Sequence, residues 1–223
     1  MELKITYIKS SIKESGNIIS HFLLTNLNPG QGLTIGNALR RVLLANIEGT
    51  AITALKIPTM SHEFSTIPGI REDILEIVLN LKQIVLKTQI KKQILGKICA
   101  QGPGILTARC LQFDEKVAII NPNQYIGTMT TNQKIYFEII VERGIGYTFG
   151  DQVKQKYKNF LNIDAIFMPV LNVNFKINSN YLSYNQIAES LALEITTNGS
   201  ITPENALSQA SQHLMKWFST LVN

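Results

Sequence analysis

Residues 32–44 read GLTIGNALRRVLL, an apolar run interrupted by two adjacent arginines, Arg40 and Arg41. On a helical wheel, at roughly 100° per residue, Ile35, Ala38, Leu39, Val42, Leu43, Ala45 and Ile47 fill an arc of about 200°. An ordinary surface helix needs only about half that arc. Asn37, Arg40 and Arg41 take the remainder, and Leu44 projects between the two arginines. Arginine with an aliphatic anchor suits the centre of a protein contact, where lysine and glutamate are depleted. This face therefore reads either as a docking site for another protein or as a solvated surface carrying one stray leucine.

Upstream of that helix, NIISHFLLTNLN (17–28) reads as a strand, PGQG (29–32) breaks it, and Thr34 is the expected N-cap. Downstream, TAITALKI (50–57) reads as another strand, ended by Pro58. In REDILEIVLNLK (71–82) the positions Ile74, Leu75, Ile77, Val78 and Leu81 have helical spacing, with Glu72 and Asp73 in the first turn, where the helix dipole favours anions. From Gln83 to Val141 apolar and polar residues alternate between Gly, Pro and Asn clusters, which predicts a β-rich block. Residues 147–160 read as polar and irregular, and strands resume over 164–177 and 190–197.

Thr202-Pro203-Glu204 places an N-cap, an N1 proline and a first-turn acid in order, and predicts a helix running nearly to the end of the chain. Along it Leu207, Ala210, Leu214, Trp217 and Leu221 recur at three- and four-residue steps, the period of a helix seam. Ala206, Met215, Phe218 and Val222 add a second apolar flank. One chain of this size can cover one such face, but two helices with double faces call for association, and a symmetric dimer is its commonest form.

Composition narrows the remaining classes. Over 223 residues, 45% hydrophobic and 17% charged describe a chain able to bury a core. No run approaches the roughly 18 apolar residues of a membrane span, and the N-terminus alternates where a signal peptide would be continuously apolar, so the expectation is an unexported protein without membrane contact. Cys99 and Cys110 fit no zinc or redox spacing and read as buried thiols of a reducing compartment. The formal charge of +5 is modest, and the lysines gathered at 87–97 and 154–158 read as solvated faces or as polyanion contacts. Enrichment in Ile, Asn and Lys points to an AT-rich genome, hence to an organelle.

Catalytic signals are weak throughout. Gly30, Gly32 and Gly36 ahead of a helix look like a phosphate loop, but Asn37-Ala38 stands where lysine and a hydroxyl residue are needed. His21, His62 and His213 lie far apart, and His62-Glu63 reads as a polar pair on a loop. The expectation is no catalytic residue, no metal and no cofactor.

The stretches GLTIGNALRRVLLANIEGTAITALKI, HEFSTIPGIREDILEIVLNLK, ERGIGY and TNGSITPENAL closely resemble the α subunit of bacterial-type DNA-directed RNA polymerase, including its plastid-encoded form. The similarity runs from about Phe22 to Phe218 in the family's order and spacing. It implies an α+β fold of two lobes: an α/β dimerisation lobe from residues 1–48 and 164–223, with a β-rich lobe, 49–163, inserted between them and contacting the large subunits. It also implies a homodimer that serves as an assembly platform for the β and β′ subunits. Catalysis, a nucleotidyl transfer, then belongs to the complex and not to this chain. Dimer contacts fall to Ile35, Leu39, Leu43, Leu207, Ala210, Leu214, Trp217 and Leu221. Large-subunit contacts fall to Arg40, Arg41, Leu44 and Lys82, the second arginine and Leu44 matching the family's β-docking positions.

Departures from the family pattern are Leu33 in place of a common histidine, a shorter and more basic 148–160, and Ala188-Glu189-Ser190 before the strand leading to TNG. If Asn223 is the natural end, the resemblance implies absence of the C-terminal DNA-binding domain, so that DNA is met only through the complex. Localisation reads as plastid, the chloroplast stroma, with bacterial cytoplasm as the alternative. A competing function is a free-standing basic dimeric DNA-binding protein; it needs a polar recognition helix, and the arginine-bearing helix is largely apolar.

Overall fold

The computed structural model describes residues 4–13, 16–58, 63–150, 159–183 and 186–222, with the side chains at 180–187 outside that description. In chain order the elements are β1 (Lys4–Ile12), β2 (Ile18–Leu27), α1 (Gln31–Ala45), β3 (Glu48–Lys56), α2 (Ile74–Lys82), β4 (Leu86–Lys87) and β5 (Ile94–Gln101). Then follow β6 (Gly104–Thr107), β7 (Leu111–Phe113), β8 (Ala118–Ile119), β9 (Tyr125–Met129), β10 (Lys134–Thr148), β11 (Leu161–Asn162) and β12 (Ala165–Phe167). The chain closes with β13 (Val170–Ser183), β14 (Gln186–Thr197) and α3 (Pro203–Ser219). Helices and antiparallel strands combine as expected of an α+β protein. Two compact units result, Met1–Ile47 with Met168–Asn223, and Glu48–Phe167.

In the first unit four antiparallel strands lie in the order β1-β2-β14-β13. Side chains alternate across a strand, so register decides which residues share a face. Phe22, Leu193 and Phe175 stand in one cross-strand row, and Ser20, Ile195 and Val173 in the next. These rows face α1 and α3, whose Leu39, Val42, Leu43, Ala206, Leu207 and Ala210 complete the core. His21, Glu194 and Asn174 form the alternate row on the other face, linked at 3.7 Å and 3.3 Å. The edge strand β1 is exposed along its whole length.

The second unit is built on the sheet β11-β3-β10-β5-β7, with β12 pairing the end of β10. Its core joins Ile52 and Leu55 of β3, Ile77 and Leu81 of α2, Ile98 of β5 and Phe137 and Ile139 of β10. Each such fully buried aliphatic or aromatic side chain contributes about 1.5–3 kcal/mol. Two short pairs, β4–β8 and β6–β9, extend this unit. Gly49 and Gly144 let Phe167 lie close, since a Cβ at Gly49 would fall 2.5 Å from the Phe167 carbonyl oxygen and one at Gly144 2.8 Å from its ring.

Several expectations shift by a few residues. Strand β10 continues through Tyr147 to Thr148, so 147–148 are regular and not irregular. Cys99 is exposed and Cys110 half-buried, contrary to the buried-thiol reading, because Cys99 lies beside exposed Tyr136 across β5 and β10. His62 and the basic run at 154–158 lie outside the described residues.

Candidate functional site

Helix α1 begins earlier than Thr34. Gly30 is its N-cap, in a left-handed conformation at φ 85° that favours glycine. Its side-chain-free cap is compensated by Glu189, just inside β14, which accepts the backbone N–H groups of Gly30 at 2.8 Å and Gly32 at 3.0 Å. A carboxylate at a helix N-terminus satisfies otherwise unpaired donors and complements the dipole. The apparent phosphate loop therefore already holds an anion, supplied by the chain itself. Thr34 instead donates its hydroxyl back to the Gly30 carbonyl at 3.2 Å.

The first turns sit close to the sheet. A Cβ on Gly36 would lie 2.8 Å from the Phe175 ring, so the glycine sets the approach of α1 to β13. Leu39 and Leu43 are buried in the unit's own core, as are Leu207 and Ala210 of α3. These four hold helices to sheet within one protomer, and Leu207 also borders an open groove beside β1. A helical wheel gives the apolar face but not the identity of what covers it, and within one protomer the sheet covers most of this one. Ile35 and Leu214 are half-buried against the same core.

Apolar surface left open lies further along α3. Met215, Trp217, Phe218, Leu221 and Val222 are 68%, 45%, 59%, 80% and 85% exposed. The helix ends at Ser219, so Leu221 lies in the turn beyond it and not on the helical seam. The inner face of β1 is also uncovered: the register shift between Tyr7 and Lys9 lets Ile5, Tyr7 and Ile12 line one open groove against Leu207 and Ser211 of α3. On α1, Arg40 and Arg41 are both exposed. Leu44 is half-buried and packs on the core, so it does not project freely between them.

Lys82 ends α2 and pairs with Asp164 at 3.2 Å. Asp164 also accepts the Gly150 N–H at 2.9 Å and the Tyr147 hydroxyl. The Gly150 N–H, with Tyr147 and Lys82 adding to it and outweighing burial, holds this carboxyl below the usual range. Beside it Tyr147 and Phe149 stack edge to face at 4.8 Å. Tyr147, Phe149 and Ile166 are 43%, 54% and 50% exposed, Ile166 lying opposite Tyr147 in the β10–β12 register. Of this group, only Lys82 stands out from the family resemblance. The alternation Ile145, Tyr147, Phe149 was the available signal for its apolar neighbours.

Behind the start of α2, Glu72 is 4% exposed. It accepts the Thr128 N–H at 2.6 Å, the Tyr125 hydroxyl in a very short bond, and the Arg71 guanidinium at 2.8 Å. Burial alone would push its carboxyl up; the bonds from Tyr125, Thr128 and Arg71 outweigh burial and hold it below the usual range. Asp73, one residue on, is the N-cap of α2, accepting the Glu76 N–H at 2.7 Å. Glu72 is thus a clamp outside the helix and not part of its first turn.

Among the described residues no three His, Cys, Asp or Glu side chains gather as metal ligands, and no helix is long and apolar enough to cross a membrane. His21 pairs with Glu194, and His213 lies beside the Trp217 ring at 6.3 Å.

Residues 54–168 match the family model described as the RNA polymerase Rpb3/RpoA insert domain. Over 219 residues the chain is 49% identical to the DNA-directed RNA polymerase subunit alpha of Trieres chinensis, covering 98% of this chain and 70% of that one. The subunit of the same name from Phaeodactylum tricornutum is 47% identical over 222 residues, covering 99% of this chain and 71% of that one. That of Synechococcus sp. is 44% identical over 216 residues, covering 96% and 65%.

Proposed function

The chain belongs to the family of DNA-directed RNA polymerase α subunits, and from that premise we propose that it acts as the dimeric platform on which the β and β′ subunits assemble. The enzyme it serves is a nucleotidyltransferase complex, and the α subunit itself is non-catalytic. In this reading the unit carrying α1 and α3 is the dimerisation lobe, and Glu48–Phe167 is an inserted lobe facing the large subunits. The observation that carries it is the exposed apolar end of α3 and the turn after it, Met215 to Val222, beyond a helix whose earlier apolar residues Ala206, Leu207 and Ala210 are buried in their own unit. Such a surface in contact with water favours association. The open groove between β1 and α3 offers apolar surface for the same interface.

Large-subunit contacts are assigned to Arg40, Arg41 and Leu44 on α1, and separately to Lys82 with its apolar neighbours Tyr147 and Phe149. Arg41 supplies a fork of donors suited to a carboxylate partner. The half-buried position of Leu44 limits it to a supporting contact. Relatives in diatoms and cyanobacteria support a plastid location, with bacterial cytoplasm as the alternative. Co-expression with a β subunit from a related plastid, followed by light-scattering chromatography, tests the reading. The expected product is an α2β complex; a monomeric α chain that fails to retain β overturns it.

A further inference from the structure

A second groove lies in the Glu48–Phe167 unit, where β4 and β8 pair. Its apolar lining comes from Ile90, Val117 and Ala118, and its rim carries Lys87 and Lys116. Lys87 stands opposite Ala118 in the register. Thr88 fixes the wall, donating its hydroxyl to the Lys116 carbonyl at 3.1 Å and accepting the Ile90 N–H at 3.2 Å. Exposed Lys91 and Lys92 continue from the same wall. None of these four ammonium groups has an ion-pair partner among the described residues, and Glu115 is the one acid lining the groove.

We propose that this groove binds an acidic protein segment carrying aliphatic side chains: the aliphatic groups enter the lining and the carboxylates meet Lys87, Lys116 and the following lysines. Charge complementarity selects the acidic partner, and the apolar lining selects a polypeptide over nucleic acid. Single-stranded nucleic acid draws much of its affinity from stacking on aromatic rings, and no aromatic residue lines this groove. A duplex offers phosphates but nothing to fill an apolar floor. Contacts of this kind at a rim steer association and weaken with salt, while burial on the apolar floor is not screened by it.

The test uses the full chain and three fluorescein-labelled probes: an acidic peptide with leucine and isoleucine at alternate positions, its counterpart with serine at those positions, and a dT homopolymer. Fluorescence anisotropy at physiological salt should show saturable binding of the aliphatic peptide alone. The double variant K87E/K116E should weaken it about tenfold or more. Lys134→Glu, at the opposite end of β10 from the groove, should leave it unchanged and controls for net charge. Equal binding of the serine peptide, tighter binding of the homopolymer, no binding of any probe, or equal loss with Lys134→Glu each overturns the proposal.

Discussion

Glu189 closes the N-terminus of α1 by accepting the backbone N–H of Gly32 at 3.0 Å, across 157 residues of sequence. With its second bond, to Gly30, it ties the glycine-rich turn to β14. Removing the carboxylate leaves two amide donors at the helix end without a protein partner. Glu189→Ala should therefore destabilise the first unit by about 1–3 kcal/mol. Urea denaturation followed by Trp217 fluorescence, the one tryptophan in the chain, reads this directly.

Gly36 predicts a steric effect at the same helix. Its missing Cβ leaves room for the Phe175 ring, which would otherwise stand at 2.8 Å. Gly36→Ala gains helix propensity of about 1 kcal/mol, but the ring must shift within a packed core, a strain of about 1–3 kcal/mol. The expected net outcome is a lower urea midpoint. An unchanged or raised midpoint would show that the ring moves freely.

These two contacts mark where legibility in the sequence ended. The periodicity of α1 and α3, and the Thr202-Pro203 start of α3, were local signals and gave the elements; Thr202 indeed accepts the Asn205 N–H, at 3.4 Å. Local sequence points to Thr34 as the cap, whereas the true acceptor, Glu189, comes from a distant strand. The same holds for Glu72, whose partner Tyr125 is 53 residues away. A wheel marks Leu39 and Leu43 as apolar without saying what covers them, and only the sheet beneath supplies Phe22, Val173 and Leu193 as partners in their core.

Burial separates two kinds of apolar variant. Leu43→Ala removes atoms from the protomer core and should cost about 2–5 kcal/mol of folding stability. Phe218→Glu and Leu221→Glu alter exposed positions, so the protomer should keep its circular dichroism spectrum while the dimer dissociates. Analytical ultracentrifugation of Leu43→Ala and of the Phe218→Glu/Leu221→Glu double variant at micromolar concentration decides it. Dimers persisting with both glutamates present would remove the end of α3 from the interface.

Arg41 is exposed and outside the protomer core, so Arg41→Ala should leave folding and dimerisation intact. If its guanidinium is desolvated against a carboxylate of the β subunit, its loss costs about 2–5 kcal/mol, more than tenfold in affinity. Co-purification of tagged chain with β measures the difference. Unchanged retention of β would remove Arg41 from the contact, and loss of the dimer would place Arg41 at the dimer interface instead.

The buried clamp at Glu72 should make the second unit acid-sensitive. Its folded carboxyl lies below the ordinary value of 4.5, so the unfolded chain binds a proton more readily than the folded one. Stability from this group is then fully present above about pH 4.5 and is lost as pH falls through the lower folded value. Asp164 and Glu138, both also held below their ordinary range in this unit, share the sign and leave a residual slope. Glu72→Gln should lower stability at neutral pH by about 1–3 kcal/mol, since the amide leaves Thr128, Tyr125 and Arg71 imperfectly paired. It should also flatten the fall between neutral pH and pH 3. Urea midpoints by circular dichroism across that range check both effects, and a variant whose midpoint falls with acid as steeply as the parent's would show that Glu72 is not the group being titrated.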